Sequence, residues 1–503
     1  MESIGLLTGI MVLPILCGIG LLVVPVEKMG VGREREEGED RVRQIGMLVS
    51  LVTFAMSLLL WVGFDNSAEE YQYVESIVWM EGRSVKLGVD GISLFFILLT
   101  TLLVPLCLMG TWGERIKGLR GYVGGFLVME GLVLGVFMVL DLVGFYVLYE
   151  SVLIPMFMII GVWGKRERKI RAGYMFFMYT LLGSVFMLLG ILMVYWETGT
   201  TDYTVLEGMG GVLGSRGRLL WLGFFVSFAV KVPMVPVHLW LPEAHVEAPT
   251  GGSVILAGVL LKLGTYGMIR YLMGLFPEAT VYYTPVVYVL SMIGIVYTSL
   301  TAVRQTDMKR VIAYASVAHM NTTLVGLFSM TPEGVEGAVL QMLSHGFVSG
   351  GLFMCVGVLY DRYHSRLIKY YSGVVMTMPI YAGIFMLFTM GNIGLPGTSS
   401  FVGEFMILLG VYQVDRFVGG VSALTMVLGG VYSLWLYNRI VYGNLKSGMG
   451  EYSVESGKGD VTRREYWGMM PLVFLTIYMG VYPDVFLEVM HVSCSKLVEH
   501  TLM

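Results

Sequence analysis

Apolar runs about 20 residues long recur along nearly the whole chain, divided by short polar joints. A helix of that length spans roughly 30 Å, the thickness of a bilayer's hydrocarbon core. The runs fall near residues 4–26, 45–64, 90–111, 121–140, 142–163, 172–196, 219–237, 250–275, 281–303, 308–330, 335–360, 372–394, 399–443 and 467–489. They predict an all-α polytopic membrane protein of about fourteen transmembrane helices, with 399–443 long enough for more than one segment.

The joints set an orientation. With 372–416 taken as one broken span, the alternate joints 27–43, 112–121, 164–171, 238–249, 304–310, 361–370 and 439–465 carry 24 Lys/Arg. The opposite face carries 6, namely Arg83, Lys86, Arg216, Arg218, Arg416 and Lys496. Lys and Arg are retained on the inner side, so both termini are expected on the outer side. Residues 165–171 (KRERKIR) read as an inner-face anchor.

Two runs are punctuated. Pro233, Pro236 and Pro242 follow Lys231, and Gly394–Gly397 (GLPG) precedes Glu404. Proline removes a helical donor, so two broken helices are predicted at membrane depth. Broken backbone survives there only against protein or a watery cavity. Two breaks beside intramembrane charges are the pattern of an inverted-repeat transporter; the competing reading is a pair of packing kinks.

Charged residues at the middle of these runs are the chemistry to explain. Glu150 lies about nine residues into Leu142–Trp163, Lys231 in Leu219–Val237, Lys262 in Ser253–Leu275, and Glu404 between Phe401 and Phe405. Each costs about 2.5–3.5 kcal/mol at the bilayer centre, on the order of 10–14 for four, and such groups mark ion or proton paths. Glu150 and Lys231 are a candidate switch, because a lysine's affinity for protons changes readily on burial and with a nearby carboxylate. A static buried pair that fixes packing is the alternative, and desolvation usually cancels its Coulomb gain. His319 and His345, also mid-span, read as a proton relay or as structural histidines. His238 and His245 flank the first break and could gate it or cap it. Glu130 is expected to join the charged axis, whereas Asp141 and Asp90 read as helix N-caps.

Composition narrows the class. The 503 residues are 56% hydrophobic and 14% charged, with mean hydropathy +0.73, which excludes an ordinary soluble globule. Cys17, Cys107, Cys355 and Cys494 are scattered, without a CxxC or a Cys/His cluster, so iron–sulfur, zinc and disulfide frameworks are not expected. The apolar stretch of residues 1–25 is too long for a signal h-region, no basic n-region accompanies it, and it lacks the Arg-rich character of a transit peptide, so insertion from within the compartment of synthesis is expected. No Walker loop or dinucleotide-binding GxGxxG follows a strand.

The segments Val89–Leu103, FYVLYESVLIPMF around Glu150, His238–Gly267, RQTDMKRVIAYASVAHMN, MLSHGFVSGGLF, LPGTSSFVGEF and the run YSLWLYNR together closely resemble the chain 4 family of NADH–ubiquinone oxidoreductase, respiratory complex I. The likeness runs from about Lys86 to Lys446, and the family is similar in turn to Mrp-type sodium/proton antiporters. The resemblance implies fourteen helices with two inverted five-helix repeats. It divides the chain into an N-terminal three-helix segment (1–120), two antiporter-like halves (121–275 and 276–445) and a polar joint with a C-terminal helix (446–503). It implies a proton-translocating subunit whose channel glutamate falls on Glu150, paired lysine on Lys231, relay lysine on Lys262, linking histidines on His319 and His345, second-half exit acid on Glu404 and accessory acid on Glu130. The expected axis is Glu150–Lys231–Lys262–His319–His345–Glu404. Cofactors are expected in partner subunits only: flavin mononucleotide (FMN), iron–sulfur clusters and ubiquinone. The implied partners are the other membrane-arm subunits, including neighbouring antiporter-like ones, and membrane lipid, with no nucleic acid. The implied site is the mitochondrial inner membrane with both termini toward the intermembrane space; a bacterial plasma membrane and a sodium/proton antiporter subunit are the alternatives. The first two spans and the 27–43 joint carry no match to the family.

Overall fold

The computed structural model describes residues 5–23, 33–80, 83–113, 116–209, 216–446 and 459–502, so much of the 27–43 and 439–465 joints lies outside the described residues. The chain is a helical bundle. Its long helices are α1 (Leu6–Val23), α2 (Arg33–Val62), α3 (Gly91–Gly110), α4 (Leu119–Met138), α5 (Leu142–Trp163) and α6 (Lys169–Thr198). They continue with α7 (Gly217–Lys231), the short α8 (Trp240–Glu247), α9 (Thr250–Met273), α10 (Pro277–Val303), α11 (Met308–Leu327) and α12 (Pro332–Tyr363). The last are α13 (Pro379–Ile393), α14 (Ser399–Val414), α15 (Arg416–Val441), α16 (Arg463–Val481) and α17 (Asp484–Leu502).

Among the described residues, 10 helices are long and apolar enough to cross a bilayer, or 11 when the α16–α17 pair counts as one bent span. The expected runs near 219–237 and 372–416 are instead divided among shorter helices: α7 has 15 residues, α13 has 15 and α14 has 16. Run 399–443 resolves into two helices, α14 and α15. The expected last span also differs, because α16 ends at Val481 and α17 leaves it at 71°.

One element departs from the all-α expectation. Strands β1 (Gln72–Met80) and β2 (Arg83–Val89) pair antiparallel between α2 and α3. In β2, Val85, Leu87 and Val89 alternate with Lys86 and Gly88, the period of a half-buried strand rather than a helix, whereas β1 does not alternate and its pairing shifts register between Gln72 and Glu75.

Local chemistry sets the helix ends. Asp90 and Asp141 both sit in extended backbone and accept from the third helical N–H, at Ser93 and Gly144. Both act as the caps expected of them. α5 breaks at Val152 because Pro155 has no N–H to return to the Ser151 carbonyl. α7 stops at Lys231 and the chain resumes as a helix only at Trp240, after Pro233 and Pro236. α13 stops at Gly394, whose φ of +79° suits glycine, and α14 begins at Ser399.

Burial orders the bundle. The apolar windows of α9 and α12 are 100% buried, whereas that of α1 is 22% buried and its outward side chains are apolar. Helices that carry His345 and Lys262 are therefore enclosed by protein on all sides, and the outer ring presents the lipid-compatible surface.

Candidate functional site

The first half centres on Tyr149. Lys231, the last residue of α7, is buried where the proline break ends the helix. Its Nζ donates to the Tyr149 carbonyl at 3.2 Å and lies 3.7 Å above the Tyr149 ring. A cation over an aromatic face in a desolvated site gains about 2 kcal/mol, which helps hold the ammonium there. Glu150 is the next residue on α5, and both its carboxylate oxygens are buried, with the Ser184 side chain nearby. The lysine's field reaches it, but the two are neighbours across Tyr149 rather than a hydrogen-bonded pair.

Lys262 occupies the centre. A Cβ on Gly264 would lie 3.1 Å from Cβ of Lys231, so α9 passes α7 at close range just beside it. The α9 helix widens into π turns at Leu256–Leu260 and Met268–Met273, on either side of Lys262. Such turns are rare and concentrate at functional positions. Lys262 Nζ donates to the Ala257 carbonyl at 2.5 Å and meets His345 Nδ1 at 2.7 Å, with the whole side chain enclosed. Either atom of the Lys262–His345 contact can carry the shared proton, according to the His345 tautomer.

The chain of groups continues into the second half. The His345 and His319 rings are 6.1 Å apart between centroids. His319 Nδ1 lies 3.1 Å from Oε1 of Glu404, a close electrostatic approach in which the ring N–H is not aimed as a hydrogen bond. Gln341 donates to the same Oε1 at 2.9 Å. A Cβ at Gly394 would come within 2.7 Å of Glu404 Oε2, so the glycine that breaks the span also leaves room for the carboxylate. The spatial order is Lys262–His345–His319–Glu404, which corrects the expected order of the two histidines. Their helices α11 and α12 run adjacent, and the α12 histidine faces α9 while the α11 histidine faces α14.

Glu130 is buried on α4, and among the described residues neither a donor nor a charged partner reaches its oxygens. His245 stacks on Phe353 at 4.7 Å, and His238 packs edge-on to Tyr297 at 5.7 Å.

Several buried polar groups escaped the sequence reading. Lys309 donates to the Ala248 carbonyl and to Ser253 Oγ, both at 2.9 Å. Arg270 forms a buried ion pair with Asp90 and donates to Tyr71 at 3.0 Å. Arg270 lies about two helical turns beyond Lys262 in the same apolar run, and that spacing was the available signal. Lys309 stood within a charged joint and nothing in the sequence separated it from surface anchors. On the exterior, burial pushes the Asp202 carboxyl up, but Lys86 at 2.6 Å and Thr204 outweigh it and hold it below the usual range.

Comparison with known proteins agrees with this arrangement. The family model for the "NADH:quinone oxidoreductase/Mrp antiporter, TM" matches residues 139–429. NADH-ubiquinone oxidoreductase chain 4 of Arabidopsis thaliana is 52% identical, covering 98% of this chain and 97% of that one. NADH-quinone oxidoreductase subunit M of Rhodobacter capsulatus is 48% identical, covering 93% of each chain. A chain of respiratory complex I from Thermus thermophilus superposes with a TM-score of 0.87 at 28% identity, covering 98% of this chain and 99% of that one. A chain of the Mrp complex from Dietzia sp. DQ12-45-1b shares the fold, with a TM-score of 0.88 at 19% identity and full coverage of both chains. The chain therefore belongs to the NADH–ubiquinone oxidoreductase chain 4 family, within the wider group of NADH:quinone oxidoreductase and Mrp antiporter membrane subunits.

Proposed function

We propose that this chain is a core membrane-arm subunit of a proton-pumping NADH:ubiquinone oxidoreductase, and that it translocates protons through its buried Glu/Lys/His axis. The observation that carries the reading is the enclosed run Lys262–His345–His319–Glu404, with contacts of 2.7 Å and 3.1 Å at its two ends. Groups able to exchange protons within a dry bundle have no packing logic strong enough to keep them there. Glu150 and Lys231 load the axis at one end, Glu404 discharges it at the other, and Glu130 serves as an accessory acid beside the first half.

Proton uptake and release follow the field at each site. Moving one charge across 100 mV takes about 2.3 kcal/mol, and approach or withdrawal of a single carboxylate supplies that. Quinone reduction in partner subunits drives the charge rearrangement. FMN, iron–sulfur clusters and ubiquinone belong to those partners, and this chain supplies no redox centre. Its neighbours are other membrane-arm subunits, including antiporter-like ones, with lipid around them.

In this reading the chain crosses the membrane fourteen times. α7 with α8 forms one broken span, α13 with α14 a second, and α11 and α16 complete the count. The halves 121–275 and 276–445 are inverted five-helix repeats, preceded by the three-helix segment 1–120 and followed by 446–503. The protein lies in the mitochondrial inner membrane with both termini toward the intermembrane space, as the Lys/Arg bias of the joints requires.

Replacing Lys231 by Met tests the reading in the assembled complex. Native gels are expected to show the variant in an assembly with NADH dehydrogenase activity, with pumping and coupled quinone reduction lowered. Wild-type pumping by that assembly would remove Lys231 from the path. Sodium/proton exchange in an assembly without NADH dehydrogenase activity would instead support an antiporter subunit.

A further inference from the structure

The surroundings of Glu404 differ on its two sides. Toward the end where α12 begins, α11, α12 and α14 meet through glycines. A Cβ at Gly403 would lie 2.8 Å from the Gln341 nitrogen, one at Gly410 2.6 Å from the Gly334 nitrogen, and one at Gly337 2.8 Å from the Ile407 nitrogen. Along this line α12 and α14 are in backbone contact and leave no room for a side chain between them.

In the half of the bundle nearer the 304–310 and 361–370 joints, α11, α12, α13 and α15 leave a space of about 10 Å³ between them, room for about one water. Its apolar wall includes Ala315 and Phe385, and its polar wall is Thr389, Asn392, Tyr432 and Ser433. Asn392 donates to Ser433 Oγ at 2.9 Å. The Tyr432 hydroxyl lies 3.5 Å from Nε2 of His319, the ring whose other nitrogen approaches Glu404, and it is also within reach of the Asn392 side chain. Tyr432 thus stands between the cavity and the relay, a position the functional reading above leaves without a role.

We propose that Tyr432, set by Asn392 and Ser433, is a proton-transfer group that connects a water in this space to His319 and through it to Glu404. The inference rests on the proton-pumping reading. In the step itself a hydronium gives its proton to the Tyr432 oxygen, the hydroxyl releases its own proton to His319 Nε2, and the proton on Nδ1 passes to Glu404 Oε1. Water, phenol and a carboxylic acid remain, and only O–H and N–H bonds exchange. Glu404 is thereby loaded from the half of the bundle nearer the joints as well as along the axis from Lys262, before it discharges.

The test compares Tyr432→Phe, Tyr432→His, Ala315→Leu and Glu404→Gln in the assembled complex reconstituted in vesicles, reading proton pumping, NADH oxidation and the solvent deuterium isotope effect. Tyr432→Phe keeps the ring and removes the hydroxyl. A positioned proton donor is worth on the order of 10²-fold, and with partial substitution by water we expect about a tenfold loss of coupled rate and a larger isotope effect. Tyr432→His, which retains a donor and acceptor, is expected to recover most of the rate. Ala315→Leu fills the space from α11, one turn before His319, and keeps every titratable group; it is expected to slow pumping similarly and decides the matter if the Tyr432 variants fail to assemble. Wild-type rate and isotope effect in Tyr432→Phe or Ala315→Leu, with Glu404→Gln inactive, overturns this inference alone. Wild-type pumping in Glu404→Gln overturns the functional reading with it.

Discussion

Replacing Glu404 by Gln isolates the electrostatic step at the end of the relay. The side chain keeps its shape and Gln341 keeps a carbonyl to donate to, so packing changes little. What disappears is a charge 3.1 Å from His319 Nδ1. At an effective dielectric of about 20, two unit charges at that separation attract by roughly 5 kcal/mol. Desolvation offsets part of this, and if half survives, the ion-paired form of the His319–Glu404 couple loses about 2.5 kcal/mol of stabilisation. Where that form lies on the path, at about 1.36 kcal/mol per decade the coupled rate falls by roughly 70-fold. The assay is NADH oxidation with simultaneous proton uptake in vesicles bearing the assembled complex, alongside a native gel to show assembly. Pumping within twofold of wild type in an intact complex would refute the reasoning, because the pair would then be structural.

Other perturbations separate structural from functional groups. Asp90→Asn strands the buried Arg270 guanidinium, which retains only Tyr71 and Tyr266 as partners, and should cost about 3–5 kcal/mol, read as a lower melting temperature of the complex. Unchanged melting would mean the tyrosines suffice. Gly403→Ala drives a methyl into the Gln341 backbone at 2.8–2.9 Å and should lower assembly by about 1–3 kcal/mol on a native gel; normal yield would show that α12 and α14 can part. The exterior Lys86–Asp202 pair gives a pH signature. Because the Asp202 carboxyl is held low in the folded state, its stabilisation is present at neutral pH and lost as pH falls through that lowered value, below about 3.9. Lys86→Met should therefore reduce thermal stability at pH 7, with the difference from wild type shrinking on acidification. A difference that grew toward low pH would reverse the assignment.

Much of this was legible in the residues. Proline after Lys231 and glycine before Glu404 predicted both helix breaks, because a missing N–H and a positive φ are properties of single residues. Asp90 and Asp141 read as caps for the same local reason. The order of His345 and His319 was not legible, since it depends on which faces α11 and α12 turn to their neighbours. The π turns around Lys262 left no mark in a continuous apolar run. Lys309 was hidden among anchoring charges, and nothing in the sequence sets Tyr432 apart from the other aromatics, since its role depends on its hydroxyl lying against His319.

The most direct test of the central claim is the number of protons moved per NADH oxidised when Lys262 is replaced by Met. Methionine fills the same enclosed space but cannot carry charge between Ala257 and His345. The account predicts an assembled complex whose proton yield or coupled turnover falls sharply. An assembled complex with wild-type turnover and an unchanged proton count would contradict it.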